Sequence, residues 1–477
     1  TGAIEELSVV PVSLGGTGVS AIPTNGQVLI GNGTGYTPAV LTAVTNISIT
    51  NGSGSITIAA SVAGASLSGQ TDSSTPFETA LGHQAGNVNT GVNNTFIGYQ
   101  AGLSNSTGTN NTVVGFSALD VNTAGSGNVV VGSNAAGSMT GGNSNVIVGV
   151  SAMHANTSCN NVVVIGNNAA SAYTGTNQLV AVGVNALASG GASESVAVGA
   201  GAGQLMSSGQ WNVFVGHNAG QTRTSGQDGV YIGYLAGSAS GASGSNNVAI
   251  GSRSLDSATT GANNIAIGVD ALTASTTAGN NTGVGHQVLT LATGADNTAF
   301  GYQAGDKITT GTQNTILGNS AGSSGSNDLT TGSNNTIIGY NAAASSATIS
   351  NEITLGNSSI ATLRCQATTI TALSDARDKA NIAPLAVGMQ FVQYLKPVSF
   401  DWAMRDGGRV GVPDMGFIAQ DLQEAQLQAG VVIPGLVYES DPEQLGASYG
   451  KLLPVLVKAL QELSAEVAAL KAQIAAS

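Results

Sequence analysis

The sequence predicts a mainly β protein, a parallel β-solenoid of about 17-residue coils followed by a small α+β domain that ends in a coiled-coil helix. Three observations carry this. Glycine returns at 82, 98, 115, 132, 149, 166, 183, 199, 216, 233, 251, 268, 285, 301, 318, 339 and 356, in steps of 16 to 18 residues with one of 21. A period that short and regular, over more than half of a chain, means a solenoid. Glycine numbers 68 of 477 and charged residues are 8%, about twice and about a third of the usual shares. From residue 374 the composition changes abruptly: Trp402, six of the ten prolines and eight of the twelve basic residues lie there.

The flanks of each glycine define one coil. From Ile97 onward an apolar residue stands immediately before the glycine, as in Val114, Ile165, Phe300 and Ile338, and a β-branched residue stands three before it, as in Thr95, Val146, Ile265 and Thr336. Side chains two apart share one face of a strand. The residue between them is looser, running from Gly283 and Ala181 to Phe214 and Tyr231, which places it in a different environment. Alanine stands three after the glycine in 14 of 17 coils, with Ser254, Val288 and Ser359 as exceptions, so a tight corner or close backbone approach is expected. Thr-Gly-x-Asn-Asn segments at 107–111, 260–264 and 331–335 supply residues that tolerate left-handed conformations. The pattern reads as one strand, a corner, a short second strand and a return turn per coil.

Ala and Val dominate the 42% apolar fraction, and aromatics are only 4%. Small side chains fill a thin coil that stacks on copies of itself. A thin, weakly charged β structure is an aggregation hazard when alone, so a closed oligomer is expected. The formal charge of −13 is unevenly spread, and only Arg223, Arg253, Lys307 and Arg364 are basic before residue 374. An almost base-free shaft argues against nucleic-acid binding. Cys159 and Cys365 make no disulfide framework. No apolar run reaches 18 residues and no basic-then-apolar leader follows Thr1, so no membrane insertion and no signal peptide are expected; the non-methionine start suggests processing or truncation.

Residues 1–75 read as an N-terminal β-rich segment of short strands and turns, with turn signals at 14–18, 23–26, 49–52 and 66–74. Residues 76–360 are the repeat shaft, 361–373 a linker, and 374–477 a separate α+β domain. The chain's clearest helix closes that domain, at about 453–476. Leu456, Leu460, Leu463, Val467, Leu470 and Ile474 fall at alternating steps of four and three, a heptad seam that needs partner helices and does not fix their number.

The last domain opens with Ser374, Asp375, Ala376, Arg377, Asp378, Lys379, Ala380, Asn381 and Ile382. Further on come Leu395, Lys396 and Pro397, then Phe400, Asp401 and Trp402, then Gly416, Phe417, Ile418, Ala419, Gln420 and Asp421, and finally Tyr449 before the helix with its Ala459, Leu460, Gln461, Glu462 and Leu463. These blocks, in this order, resemble the C-terminal intramolecular chaperone of phage tailspikes and tail fibres, the auto-cleaving domain associated with endosialidases. Asp421 and Leu422 depart from the more usual Glu and Val after the Ala-Gln pair. The resemblance implies a homotrimer and a Ser-Lys dyad that cuts the bond before the serine. Carried over, Ser374 is the nucleophile, Lys379 the base, and Leu373–Ser374 the scissile bond. A hydroxyl needs a base within hydrogen-bond reach, and lysine serves as one only where burial or a nearby cation such as Arg377 favours its neutral form. The competing reading makes Ser374 a helix N-cap and Lys379 a solvated charge.

The repeats are similar to the heads of trimeric autotransporter adhesins and to phage fibre shafts, which implies a trimeric parallel β-roll. Linked to the chaperone-like domain, they imply a structural virion fibre, assembled in the host cytoplasm, joined to a tail or baseplate, and presenting a surface to a host glycan or protein receptor. A bacterial surface adhesin is the alternative, but would be expected to end in a membrane anchor, which this sequence lacks. A glycan depolymerase is another. It needs two carboxylates some 5 to 9 Å apart, and Asp120, Glu194, Asp228, Asp256, Asp270, Asp296, Asp306 and Asp328 occupy assorted coil positions without an obvious pair. Trp211, Phe214, Tyr231 and Tyr234 crowd two adjacent coils, where they would either contact a glycan or pack between coils. No cofactor is expected. His83, His217 and His286 each follow a repeat glycine but lie many coils apart, so no metal site is assigned.

Overall fold

The computed structural model describes residues 27–31, 34–43, 47–52, 55–60, 68–69, 78–175, 178–191, 193–325, 327–360, 362–364, 366, 374–405, 409–439 and 445–476. The turn signals at 14–18 and 23–26, most of that at 66–74, Cys365 and Leu373 lie outside them. The chain divides into two compact units, Thr1–Asn161 and Val162–Ser477.

In the first unit, β1 (Gln27–Gly31) and β2 (Tyr36–Val40) form one antiparallel pair, and β3 (Ile47–Gly52) and β4 (Ser55–Ala60) another. Then β5 (Ser68–Gly69) pairs antiparallel with β6 (Glu78–Leu81). From β6 onward the pairing is parallel, each strand with the next, through β7 (Asn94–Ile97), β8 (Thr112–Val114), β9 (Val129–Val131) and β10 (Val146–Val148). The second unit repeats this from β11 (Val163–Ile165) to β22 (Ile353–Leu355), with every register one period on, as Val248 to Ile265 and Ile265 to Thr282.

Beyond that strand, coils carry no second one, contrary to the sequence reading; among the described residues only two isolated bridges stand there, Asn143 with Asn160 and Ser193 with Gln210. The reason is backbone conformation. The second and fourth residues after the glycine are left-handed, as at Asn134 (φ 53°) and Ala136 (φ 52°) or Arg253 and Leu255 (both 52°). Such residues turn the chain and cannot extend it. Their N–H groups bond from coil to coil instead, as Leu255 does to Ala271 O at 2.9 Å.

The loose middle residue of each strand faces the interior, and the two regular residues beside it face outward. Val130, Ala181, Phe214, Tyr231 and Ala266 are fully buried, whereas Val129, Val146, Phe300 and Leu317 are more than a third exposed. Size can vary there because a second position compensates. Where the strand carries Phe96, Phe214 or Ile316, the neighbouring corner residues are Gly102, Gly220 and Gly322, and a Cβ on the first two would lie 2.2 and 2.3 Å from the ring. Where it carries Ala181, Ala249 or Ala266, the fourth residue after the glycine is Leu187, Leu255 or Leu272, all buried. The interior thus holds a roughly constant volume, as close packing requires. The recurrent alanine lies at the corner as expected: Ala271 is buried and its N–H bonds back to Gly268 O at 3.4 Å.

The asparagines do more than turn. In most coils the residue four before the glycine is a buried asparagine, and these form ladders interrupted at Val162, Leu179, Ser195 and Gly229. Asn264 donates its N–H to Asn247 Oδ1 (2.9 Å) and its Nδ2 to Ala278 O (2.9 Å), while its own Oδ1 accepts the N–H of Asn281 (3.0 Å). Asn264→Ala removes the side-chain partners of the buried Asn281 N–H and of Ala278 O, both on the following coil, a cost of about 2–4 kcal/mol. Because repeat arrays do not unfold as one unit, the check is amide hydrogen exchange, which should accelerate at Asn281 and its neighbours while distant coils keep wild-type rates.

The same position holds glutamate in the outermost coils. Glu352 donates its N–H to Asn335 Oδ1 (2.9 Å), and its carboxylate accepts from Ser345 N–H (2.9 Å) and the Thr354 hydroxyl (3.0 Å). Glu78 accepts from Asn89 Nδ2 at 3.1 Å, and burial raises its pKa above the ordinary 4.5 despite that bond. A carboxyl with a raised folded pKa favours the folded state fully below its unfolded pKa and loses that contribution as pH climbs through the folded value. Hydrogen-exchange protection of the first coil should therefore fall as pH rises from 4.5, once intrinsic exchange rates are corrected for. Glu78→Gln, which keeps the shape and carries no charge, should flatten that slope.

The terminal domain comprises α1 (Met389–Val392), an antiparallel pair of β23 (Val398–Ala403) and β24 (Val410–Gly416), α2 (Ala419–Ala429), a short pair of β25 (Val437–Tyr438) and β26 (Gly446–Ala447), and α3 (Leu452–Ala476). Its core is Phe391, Leu422, Ala425, Leu436, Leu452 and Val455. The departures after the Ala-Gln pair have places here: Leu422 is in that core and Asp421 lies 3.6 Å from Lys396. The predicted helix is present, and its seam is open in the single chain: Leu456, Leu460, Leu463, Val467, Leu470 and Ile474 are 40–73% exposed.

Candidate functional site

Ser374 and Lys379 meet. The Lys379 Nζ lies 2.6 Å from Ser374 Oγ, the reach a nucleophile and its base require, and both residues are exposed. A 3-10 turn over Ala376–Asp378 folds the five-residue spacing back on itself. The cap of that turn is Asp375, whose carboxylate accepts the Arg377 N–H at 2.8 Å, so Ser374 is not the N-cap. Leu373 lies outside the described residues.

Arg377 does not act as the free cation expected from the sequence. Its guanidinium grips the Asp375 carboxylate, with Nε 3.1 Å from both oxygens and Nη2 2.6 Å from one. Hydrogen bonds from Arg377 hold the Asp375 carboxyl below its usual range, and the Arg377 pKa is raised in return. A guanidinium so paired presents little net field to Lys379; its part is to hold the turn.

The segment after the dyad is anchored on the terminal helix. Asn381 turns the chain in the left-handed region (φ 56°). Pro384 and Leu385 border a depression shared with Leu453, Pro454, Val457, Lys458 and Gln461 of α3. Glu462 of α3 then accepts the Met389 N–H at 2.7 Å, satisfying a free donor at the start of α1, where Gly388 has no capping side chain. A Cβ on Gly388 would lie 2.3 Å from that carboxylate. A further anchor joins two blocks seen in the sequence: the Tyr449 hydroxyl accepts from Phe417 N–H (3.1 Å) and donates to Phe417 O (2.9 Å). The role of Glu462 was not legible in the sequence, because its partner is a backbone N–H 73 residues away.

The shaft aromatics separate into two groups. Phe214 and Tyr231 are fully buried and stack on each other at 5.4 Å, with Arg223 4.5 Å from the Tyr231 ring centre, so these two pack between coils and are not surface contacts for a glycan in this chain. Trp211 and Tyr234 are about half exposed. The indole N–H of Trp211 donates to Glu194 at 2.5 Å, and Tyr234 stacks on His217 at 5.8 Å. His83 and His286 likewise stack on Tyr99 and Tyr302. Two shaft acids have cationic partners, Asp270 with Arg253 and Asp306 with Lys307. Cys159 is a free buried thiol, and burial pushes it up to about 12. Among the described residues no group of three or more His, Cys, Asp or Glu could hold a metal ion, and no helix is long and apolar enough to cross a membrane.

Residues 374–433 match the family described as chaperone of endosialidase, and the match begins at Ser374. No curated protein and no solved structure matches the chain. A parallel β-solenoid followed by a module of this chaperone type is an architecture consistent with a phage tailspike or tail fibre, a virion-associated protein.

Proposed function

We propose that this chain is a structural phage fibre whose terminal domain drives trimer assembly and then cuts itself off between Leu373 and Ser374. The observation that carries the reading is the 2.6 Å contact of Ser374 with Lys379 at the first residue of the matched region. In the step this geometry supports, neutral Lys379 takes the Ser374 hydroxyl proton and Oγ attacks the Leu373 carbonyl carbon. The Leu373–Ser374 C–N bond breaks as the amine takes up a proton, and water hydrolyses the resulting ester. Exposure of both residues in the single chain supports a gate: a neighbouring copy that shuts out water would favour the neutral amine, which makes cleavage a consequence of assembly.

Two open apolar surfaces support self-association, the α3 seam and the outward strand residues of the coils. The shaft presents the host-attachment surface, with Trp211 and Tyr234 as its exposed aromatic contacts for a glycan or protein receptor. The test is to express the whole chain and follow mass and oligomeric state together. Appearance of a 104-residue fragment beginning at Ser374, only after trimers form, is expected. Stable trimers of intact chains would remove the self-processing step, and processed monomers would remove the gate.

A further inference from the structure

Three sulfur atoms meet inside the first compact unit. Cys159 Sγ lies 3.6 Å from Met153 Sδ and 4.0 Å from Met139 Sδ, and all three residues are 0% exposed. Two of them break the repeat within this unit. Met139 stands seven after its glycine, where other coils of this unit carry Asn89, Asn105, Asn122 and Asn156. Those asparagines bond in series, Asn105 to Asn89 and Asn122 to Asn105, each at 2.6 Å, and Met139 interrupts the line. Cys159 stands seven before its glycine, where the preceding coils carry Gly91, Gly108, Gly125 and Gly142. A Cβ at Gly125 would lie 2.5 Å from the Asn122 side-chain oxygen, while at Gly142 the nearest side-chain atom is Met139 Sδ at 3.1 Å. Met153 takes the corner position held by Leu119, Ala136 and Ala170 in neighbouring coils.

Two departures from the repeat and one variable corner residue therefore bring two thioether sulfurs against the Cys159 thiol. Thiolate and thioether ligands select soft ions such as Cu(I). With metal–sulfur bonds of about 2.3 Å, three ligands in a trigonal set stand about 4 Å apart, close to the spacing of Cys159 to the two methionines. Ser158 and Asn160, which flank Cys159, are exposed, so the cluster lies directly beneath a surface turn.

We infer that Met139, Met153 and Cys159 form a binding site for a soft monovalent metal ion, Cu(I) or Ag(I). On binding, the Cys159 S–H bond breaks and its proton goes to solvent. The thiolate and the two thioether sulfurs each donate a lone pair to the ion, and nothing is oxidised or reduced. The site is independent of the processing domain.

The test uses the full chain carrying Cys365→Ser, so that Cys159 is the one remaining thiol. After exposure to Ag(I) and desalting, native mass spectrometry should find one ion per chain, and X-ray absorption should find three sulfur neighbours. Adding Cys159→Ser should abolish retention. Met139→Leu and Met153→Leu, which nearly conserve volume, should each weaken binding by about tenfold or more. No retained ion, retention unaffected by Cys159→Ser, or unchanged affinity in both leucine variants would overturn the proposal and leave the sulfurs as core packing; the leucine variants decide if the serine variant does not fold.

Discussion

Ser374→Ala is expected to leave the chain uncut, with no 104-residue fragment in a denaturing gel, while trimer yield stays near wild type. The hydroxyl is the atom that would form the ester, and alanine has none. Lys379→Ala should slow processing by about 10²–10⁴-fold, the usual worth of a positioned general base. Lys379→Arg separates the base from the contact. A guanidinium can still reach Ser374 Oγ but cannot become neutral at accessible pH, so the arginine variant should fail as the alanine variant does. Processing that survived in the arginine variant would mean that Lys379 only orients the serine. Arg377→Ala should have a smaller effect, because Arg377 is tied to Asp375 and acts on the dyad through the turn. Mass analysis of each variant after equal expression times is the measurement.

Gly268→Ala should disrupt the shaft strongly. Gly268 has φ +137°, a conformation that side-chain-bearing residues rarely adopt, and a Cβ there would lie 2.1 Å from the Gly285 carbonyl oxygen and 2.6 Å from its carbon. Both contacts are backbone, held by the parallel pairing of Ile265 with Thr282 and Ile267 with Val284, so neither atom can rotate away. Backbone strain of this kind costs about 1–3 kcal/mol and overpacking typically about 1–3 kcal/mol more. The two together suffice to open the ladder locally. The expected result is new proteolytic sensitivity and fast amide exchange around residues 265–285, with Gly141→Ala as the control, since a Cβ there meets nothing within 4 Å and its φ is not positive. Intact protection in Gly268→Ala would mean that coils slide apart cheaply and that the glycine ladder has another cause.

The solenoid, its period and the terminal helix were legible in the amino-acid sequence. Each is a periodic or compositional signal, and in a repeat every coil imposes the same local constraint, so small preferences add up to an unambiguous pattern. Ser374 and Lys379 were singled out by the family resemblance, and their contact is a local one, spanning five residues that a short turn closes. Tertiary structure alone decided the rest. The direction each strand face points could not be read, because the outward residues are the regular ones and the interior residue varies from Gly283 to Tyr231 against a partner position in a neighbouring corner. The second strand that the sequence predicts falls on segments that left-handed residues such as Asn134 and Ala136 turn into corners. The pairing of Arg377 with Asp375 and, of the two roles open to Phe214 and Tyr231, packing between coils are set by the folded backbone. In each case the deciding partner is set by how the backbone places one residue against another, and composition and spacing carry no record of that placement.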